Sequence, residues 1–180
     1  MVAAPSSRAL ATLAVVSEPL PYAVLDIDGV LADVRHRLHH LDSRPKDWDA
    51  FFAAAPDDPP LADGLALAHE LATEHELIYL TGRPERCRAD TEAWFREHGF
   101  PAGRLFMRSD TDRRPARLTK VEVLRRLSRS KPVACMVDDD ARVVQTVREA
   151  GFVIQLASWM HESPAEHSTL FDAQELQGRT

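Results

Sequence analysis

The sequence has no apolar run long enough to cross a bilayer, and it contains only two cysteines among 180 residues. A membrane-spanning helix needs about 20 consecutive apolar residues, so we expect no membrane segment. Cys87 and Cys135 cannot build a disulfide framework, and we therefore expect a reducing, cytoplasmic setting. Cys135 lies in an apolar run and is expected to be buried. Internal repeats and low-complexity segments are also missing, and 44% apolar residues are typical of a globular protein.

The length of the chain is sufficient for one α/β domain with a substantial core and little more. The first 20 residues combine one arginine with a short apolar stretch, so a signal peptide has to be considered. No small-residue cleavage site follows Val16, and a strand is predicted almost at once, so we interpret residues 1–20 as a flexible leader. We predict one domain over residues 21–160 and a tail, 161–180, with weak structural signals.

Charge is unevenly distributed along the chain, whose net charge is −6. Residues 104–131 carry ten basic side chains against three acidic ones, a net charge of +7 that leaves −13 for the remainder. A local basic field in an acidic protein favours an anionic substrate.

Short apolar runs alternate with stretches of helical periodicity throughout the predicted domain. The runs predict five strands, at 22–27, 76–80, 104–108, 133–137 and 152–156. Helices are predicted between them, at 60–75, 84–99, 118–127 and 141–150, the last ending at Gly151. This alternation predicts an α/β fold, a Rossmann-like parallel sheet with helices on both faces, and ligands at the carboxyl ends of the strands. One irregular insertion, 32–59, separates the first strand from its helix. It is short for a cap over the ligand site, so we expect a minimal cap and a cleft open to bulky substrates.

Polar and acidic residues follow the predicted strands at the edge where ligands are expected. The first strand ends in Asp26-Ile27-Asp28-Gly29, the second in Thr81-Gly82-Arg83, and the fourth in three aspartates, 138–140. Lys120 opens the helix before the fourth strand. So many carboxylates beside one lysine are costly unless a cation compensates them. Oxygen ligands without a neighbouring His or Cys favour Mg²⁺ over zinc.

The spacing of Asp26 and Asp28 indicates how two carboxylates could divide a reaction between them. Side chains two residues apart at a strand end project alike, so both can face one substrate. One carboxylate can attack a phosphoryl group while the other exchanges a proton with the leaving group. Thr81 can donate a hydrogen bond to the phosphoryl oxygens, and Lys120 can supply fixed positive charge.

These motifs resemble those of the haloacid dehalogenase-like phosphatases. DIDGV at 26–30 is similar to their first motif, LTGR at 80–83 to the second, Lys120 to the third, and VDDD at 137–140 to the fourth. Each motif is short, but four of them occur in order, and the resemblance runs from about residue 22 to residue 160.

The resemblance implies a role for each matching residue of a Mg²⁺-dependent phosphatase. Asp26 would be the nucleophile and a metal ligand, and Asp28 the general acid/base and a ligand through its backbone carbonyl. Thr81 and Lys120 would hold the phosphoryl group. Asp139 would bind the metal directly with support from Asp138, although the register within 138–140 stays open.

A narrower resemblance is to the 3′-phosphatase domain of bacteriophage-type polynucleotide kinases, whose second motif also ends in Gly-Arg, here Gly82 and Arg83. It implies that Arg37, Arg83 and Arg108 lie at the substrate phosphate and that the substrate is a nucleic-acid 3′-phosphate end, as in nucleic-acid repair. Two residues depart from the pattern of this group. Val30 replaces the usual Thr, and Asp140 stands where the phage enzymes carry Arg. No Gly-x-x-x-x-Gly-Lys-Ser/Thr loop is present, so we expect no kinase half.

Alternative interpretations remain for the function and for single motifs. The domain could be a small-metabolite phosphatase, or a catalytically silent binding module on the same fold, whereas a dehalogenase would not need Asp28. The aspartates at 138–140 could simply begin a helix, and the histidines within 35–40 could bind zinc. Residues 48–52 are expected to be a packing face and the arginines at 125, 126 and 129 a solvated helix face. Oligomeric state and any partner enzyme are not predicted.

Overall fold

The structure of the protein is a computed structural model that describes residues 19–42 and 44–160. Most of the predicted leader and the whole predicted tail lie outside the described residues. Five parallel strands form one sheet in the order β3-β2-β1-β4-β5. They are β1 (Tyr22–Leu25), β2 (Glu76–Pro84), β3 (Arg104–Arg108), β4 (Val133–Asp138) and β5 (Ile154–Leu156). The predicted α/β class is therefore confirmed.

Helices connect the strands as the predicted alternation requires. They are α1 (Trp48–Ala53), α2 (Ala62–Leu71), α3 (Arg88–Glu97), α4 (Ala116–Leu127) and α5 (Ala141–Glu149). Three short 3-10 helices add Arg35–Leu41, Ala55–Asp57 and Glu85–Cys87. Gly151 follows α5 with a φ of 89°, the left-handed conformation expected at that helix end. Within the described ranges, no helix is long and apolar enough to span a membrane.

The two faces of the sheet bury separate hydrophobic clusters, because successive side chains of a strand point to opposite sides. Ala23 and Leu25 face one cluster, which includes Trp94 of α3. Val24 faces the other, which includes Leu124 of α4 and Val144 of α5. Helices thus cover both faces, and the strands are buried throughout most of their length, as is usual for a parallel sheet.

The insertion at 32–59 forms a small hydrophobic layer of its own. Trp48, Phe51 and Phe52 are buried in a third cluster with Val34, Leu38, Leu41, Cys87 and Met160. The aromatic residues therefore serve as the packing face that their spacing predicts. This layer fixes the insertion against the loop after β2, through Cys87.

Most predicted boundaries differ from the structure by a few residues, and one prediction near Pro84 is wrong. Pro84 was expected in the first turn of a helix, but it is the last residue of β2, with φ −68° and ψ 153°, and pairs with Arg108. The residue before a proline is pushed towards extended conformations, which prolongs the strand. Cys135 is also more exposed than expected, since the first three residues of β4 are half-buried.

Candidate active site

Three carboxylates meet where the strand order of the sheet reverses. β1 and β4 are neighbours, so Asp26, which follows β1, lies beside Asp138, which ends β4. With Asp139 they form a buried group whose closest carboxylate oxygens all lie within 4.8 Å of one another. In open parallel sheets such a switch point is where ligands bind. The structure thus brings together the acidic residues that the sequence placed at separate strand ends.

Lys120 of α4 is the cation that the group of carboxylates contacts directly. Its Nζ donates hydrogen bonds of 2.7 Å to Asp26 Oδ2 and to Asp138 Oδ2. Burial raises the pKa of Asp26 to about 7 despite the opposing charge of Lys120, and burial also raises the pKa of Asp139 well above its usual value. One lysine therefore does not compensate three buried carboxylates, and the site favours a further positive charge.

Two carboxylate oxygens of the group are suited to a metal ion. Asp26 Oδ1 and Asp139 Oδ2 are buried, and neither accepts a hydrogen bond from any residue in the described part of the chain. Unsatisfied buried oxygens are costly, and a small divalent cation with an all-oxygen shell would satisfy them. The donor set thus fits Mg²⁺, and a bound ion would neutralise the carboxylate charge that Lys120 leaves uncompensated.

The three consecutive aspartates have different surroundings, which narrows the register that the sequence left open. Asp140 caps α5, because its Oδ1 accepts a 2.8 Å hydrogen bond from the backbone N–H of Arg142. The Asp140 backbone N–H in turn donates to Asp138 Oδ1 at 3.0 Å. The interpretation of the triplet as a helix start accounts for Asp140 alone. Asp138 and Asp139 remain as candidate metal ligands, and Asp138 also accepts a hydrogen bond from Lys120.

Gly29 makes room for Asp139, and this leads to a prediction. A Cβ at Gly29 would lie 1.8 Å from Asp139 Oδ2, and the φ of Gly29 is +79°. Gly29→Ala should therefore displace Asp139, lowering metal affinity and turnover by roughly 10–100-fold. Isothermal titration with Mg²⁺ and steady-state kinetics would measure both effects.

Gly99→Ala is the matched control for that substitution. Gly99 has a similar φ of +69°, but nothing lies within 4 Å of the position that a Cβ would occupy there. Both alanines should destabilise the fold by roughly 1–3 kcal/mol through backbone strain. Only Gly29→Ala should lose metal binding, and equal metal binding by the two variants would contradict the assignment of Asp139.

Thr81 and Gly82 belong to the buried end of β2, next to β1. The hydroxyl oxygen of Thr81 accepts a 3.1 Å hydrogen bond from the backbone N–H of Arg83. A hydroxyl that accepts one bond keeps its proton for another acceptor, as the predicted contact with a phosphoryl oxygen requires. The roles of Thr81 and Gly82 towards a substrate stay predictions.

Asp28 lies between two buried arginines. Arg83 Nε and Nη2 donate to Asp28 Oδ1 at 2.8 and 2.6 Å, and Arg37 Nη2 donates to the same oxygen at 2.9 Å. Burial alone would raise the pKa of Asp28, but the charges of Arg83 and Arg37 outweigh it and hold the pKa at about 2. Arg37 and Arg83, predicted at the substrate phosphate, thus contact the predicted acid/base in this structure.

Asp58 is a buried site residue that the sequence did not single out. It lies at the end of the insertion, is 1% exposed, and forms ion pairs with both Arg37 and Arg83. The sequence around it, Asp57-Asp58-Pro59-Pro60, contains two neighbouring aspartates that no local pattern distinguishes. Only the packing of the insertion shows that Asp57 is exposed and Asp58 is not.

Arg108 and the histidines lie outside the group of three carboxylates. Arg108 ends β3 and donates to the carbonyl of Arg114 at 2.6 Å. It lines a pocket of about 240 Å³ to which Arg86 and Arg113 contribute positive charge and Asp49, Asp110 and Asp112 negative charge. His36 Nε2 lies 2.8 Å from Asp58 Oδ1. Among the described residues, the group with ligand atoms suitably close for a metal is the aspartate one, so the zinc alternative gains no support.

The basic segment 104–131 does not form a single surface. Arg108 ends β3, at the carboxyl edge of the sheet, and Lys120 of α4 contacts the acidic group. Arg104 starts β3, and the exposed side chains of Arg125, Arg126 and Arg129 lie at or beyond the end of α4, towards the opposite edge of the sheet. Arg125 and Arg126 lie exposed on the predicted helix face, whereas Arg129 lies beyond the end of α4, so only part of the basic segment can act on a ligand at the site.

The parallel sheet carries Asp26 and Asp28 after its first strand and further aspartates at the end of its fourth, and Lys120 contacts this group. This combination defines a haloacid dehalogenase-like phosphatase. Residues 21–158 match the family described as the phosphatase domain of polynucleotide kinase PNKP. The match covers most of the chain, so the protein belongs to this family and is a phosphatase. This finding disfavours the silent binding module. A comparison with curated proteins finds no match.

Solved structures share the same fold at low sequence identity. Two chains from Pnkp1/Rnl/Hen1 RNA repair complexes are 22% and 23% identical, with TM-scores of 0.63 and 0.62, covering 77% and 83% of this chain. This chain spans 42% and 50% of their lengths. A haloacid dehalogenase-type hydrolase of Bacillus subtilis, solved with magnesium, is 10% identical with a TM-score of 0.57, covering 86% of this chain and all of its own, 100%.

Proposed function

We propose that the protein is a Mg²⁺-dependent phosphatase that forms an aspartyl-phosphate on Asp26 and acts on nucleic-acid 3′-phosphate ends. The observation that carries the proposal is the buried carboxylate of Asp26, which shares Lys120 with Asp138 and has an oxygen without a hydrogen-bond partner among the described residues. A carboxylate held in this way is an established nucleophile for phosphoryl transfer.

The residues present suffice for both halves of the reaction. In the first half, an Asp26 oxygen bonds to phosphorus, the ester P–O bond breaks, and the departing alcohol oxygen takes a proton from Asp28. Asp28 must gain that proton in the substrate complex, because Arg83 and Arg37 hold its pKa at about 2 in this structure. In the second half, Asp28 takes a proton from water, whose oxygen bonds to phosphorus and releases Asp26. Lys120 and Thr81 orient the phosphoryl oxygens throughout. Asp26, Asp139 and the carbonyl of Asp28, with Asp138 in support, would hold a Mg²⁺ ion, which would supply charge neutralisation.

Membership of the polynucleotide kinase phosphatase family supports a nucleic-acid substrate over a small metabolite. Arg108, at the carboxyl end of β3, adds to this support, since a second phosphate of a polynucleotide could contact it and a 3′-mononucleotide has no second phosphate. Assay of a panel of phosphorylated metabolites, nucleotides and 3′-phosphorylated oligonucleotides with Mg²⁺ tests the substrate class. If a small metabolite has the highest kcat/KM, the nucleic-acid part of the proposal fails and the phosphatase chemistry stands.

Salt dependence gives a quantitative prediction for the same proposal. At low ionic strength, kcat/KM for a 3′-phosphorylated oligonucleotide should exceed that for a 3′-mononucleotide, and the gap should narrow as salt rises. Each phosphate contact to a single strand contributes roughly −0.7 to the slope of log affinity against log salt. Arg108→Ala should therefore make the slope shallower by about 0.7 for each phosphate that Arg108 neutralises.

Arg125→Ala is the matched control for Arg108→Ala. Both variants remove one positive charge from the segment 104–131, but Arg125 is exposed near the end of α4, away from the acidic group. The slope of log affinity against log salt for Arg125→Ala should equal that of the wild type. Equal slopes for all three proteins, or a mononucleotide preference at every salt concentration, would contradict an oligonucleotide subsite at Arg108.

A further inference from the structure

Two carboxylates and two guanidinium groups form a buried network beside the candidate nucleophile, and His36 Nε2 also lies 2.8 Å from Asp58 Oδ1. Asp58 Oδ1 and Oδ2 accept hydrogen bonds of 2.6 and 2.7 Å from Arg37 Nε and Nη2. Asp58 Oδ2 also accepts a 2.7 Å bond from Arg83 Nη2. Since both arginines donate to Asp28 as well, two positive charges face two negative charges, which is the condition under which buried ions are tolerated.

Asp58 is itself held in place by groups outside this network. Its backbone carbonyl accepts a 2.8 Å hydrogen bond from Trp94 Nε1, which anchors the end of the insertion to α3. Pro59 and Pro60 follow, and the fixed φ of proline restricts the backbone there. Arg37 is further fixed by its position 4.1 Å from the centre of the Phe51 ring. The guanidinium groups are thus held by the anchored Asp58 as well as by Asp28.

The two carboxylate oxygens of Asp28 make different contacts in this network. All three arginine hydrogen bonds to Asp28 end on Oδ1. Asp28 Oδ2 is buried and accepts no hydrogen bond from another residue within the described ranges. One oxygen is therefore fixed by arginines while the other remains for a different partner.

We infer that Asp58 is a positioning residue that fixes the guanidinium groups of Arg37 and Arg83. Held in this way, the two arginines bind Asp28 through Oδ1 and leave its Oδ2 to exchange the proton with the leaving group. The inference rests on the proposed function, since it assumes that Asp28 is the general acid/base. It assigns to the insertion a part in catalysis, because Asp58 and Arg37 both lie in it. A displacement on the order of 1 Å of such a group can cost roughly 10²-fold in rate.

The dependence of kcat on the leaving group distinguishes this positioning role from a merely structural one. An alkyl oxygen needs a proton to depart, whereas the oxygen of p-nitrophenyl phosphate departs without one. Asp58→Asn keeps the shape of the side chain but loses its charge and one acceptor. It should lower kcat for a 3′-phosphorylated dinucleotide by roughly 10²-fold and for p-nitrophenyl phosphate by about 3-fold or less, with both KM values nearly unchanged.

Asp57→Asn is the matched control, because Asp57 is the exposed neighbour of Asp58 and undergoes the same substitution. It should retain wild-type kinetics on both substrates. Arg37→Lys provides a second test should Asp58→Asn fail to fold, since lysine keeps the charge but cannot bridge two carboxylates with a planar fork. It should show the same selective loss on the alkyl substrate.

Several results would overturn the inference. These are an equal loss of kcat on both substrates, a rise confined to KM, or the same defect in Asp57→Asn. Asp28→Asn distinguishes a failure of the inference from a failure of the proposed function. If Asp28→Asn shows the alkyl-selective loss and folded Asp58→Asn or Arg37→Lys does not, Asp58 has no positioning role. If Asp28→Asn shows no such selectivity, the general acid assignment itself is wrong.

Discussion

Asp26→Asn is expected to abolish turnover, lowering kcat by roughly 10⁴-fold or more, while the protein stays folded. The amide is not a nucleophile, and it replaces one of the oxygen ligands that the candidate metal site offers. Steady-state kinetics with Mg²⁺ and a 3′-phosphorylated oligonucleotide would measure the loss. A rapid acid quench followed by mass spectrometry should detect a phosphorylated protein in the wild type and none in the variant.

The stability of Asp26→Asn serves as its control. Burial raises the pKa of Asp26 to about 7, so the ionised form is disfavoured in the folded protein relative to the unfolded chain above pH 4 or so. Asn removes this cost, and Lys120 keeps its hydrogen bond to Asp138. In the absence of metal, the free energy of unfolding should therefore be unchanged or higher. A folded variant with near wild-type turnover would show that the covalent mechanism is wrong.

The parts of the site that follow directly from strand ends could be predicted from the sequence. Asp26 and Asp138 come at the ends of short apolar runs, and parallel topology brings such ends to one edge. Lys120 was placed by its motif, and the structure shows it bonded to both aspartates. Periodicity and topology together therefore predict which residues converge, without any knowledge of side-chain contacts.

The network around Asp28 could not be predicted, because it depends on how an irregular segment packs. Arg37 was placed near the substrate phosphate by resemblance alone, and its partner Asp58 lies 21 residues further along the chain. No periodic pattern relates these positions. Their pairing is determined by the third hydrophobic cluster and by the bond from Trp94, which are long-range contacts of the folded insertion.

The register of the aspartate triplet shows a similar limit. Sequence alone gives three adjacent carboxylates of equal standing, and a helix start can use any of them as its cap. The structure assigns the cap to Asp140, and Gly29 leaves the space that Asp139 occupies. The distinction depends on where β4 ends and α5 begins, and helix and strand ends are the features that sequence patterns define least well.

Removal of divalent cations is expected to abolish turnover, and added Mg²⁺ should restore it. The three buried carboxylates have one lysine as a direct cationic partner, so without a second cation they repel the phosphoryl group. Mg²⁺ should also raise the Tm, since a ligand at about 100 times its Kd stabilises the folded state by roughly 2.7 kcal/mol. Chelation, readdition and differential scanning calorimetry measure these effects.

The Mg²⁺-dependent rise in Tm should grow as pH increases through about 7. Burial raises the pKa of Asp26 to about 7 and that of Asp139 well above its usual value, so protons compete with the cation at lower pH. Asp139→Asn should remove the Tm response. Asp140→Asn should keep it, because Asn caps a helix as well as Asp does and Asp140 lies outside the group of three. Of Asp139 and Asp140, only Asp139 offers the cation a buried oxygen that is unsatisfied among the described residues. Equal loss of the Tm response in both variants would therefore contradict the metal site, as would turnover that survives exhaustive chelation.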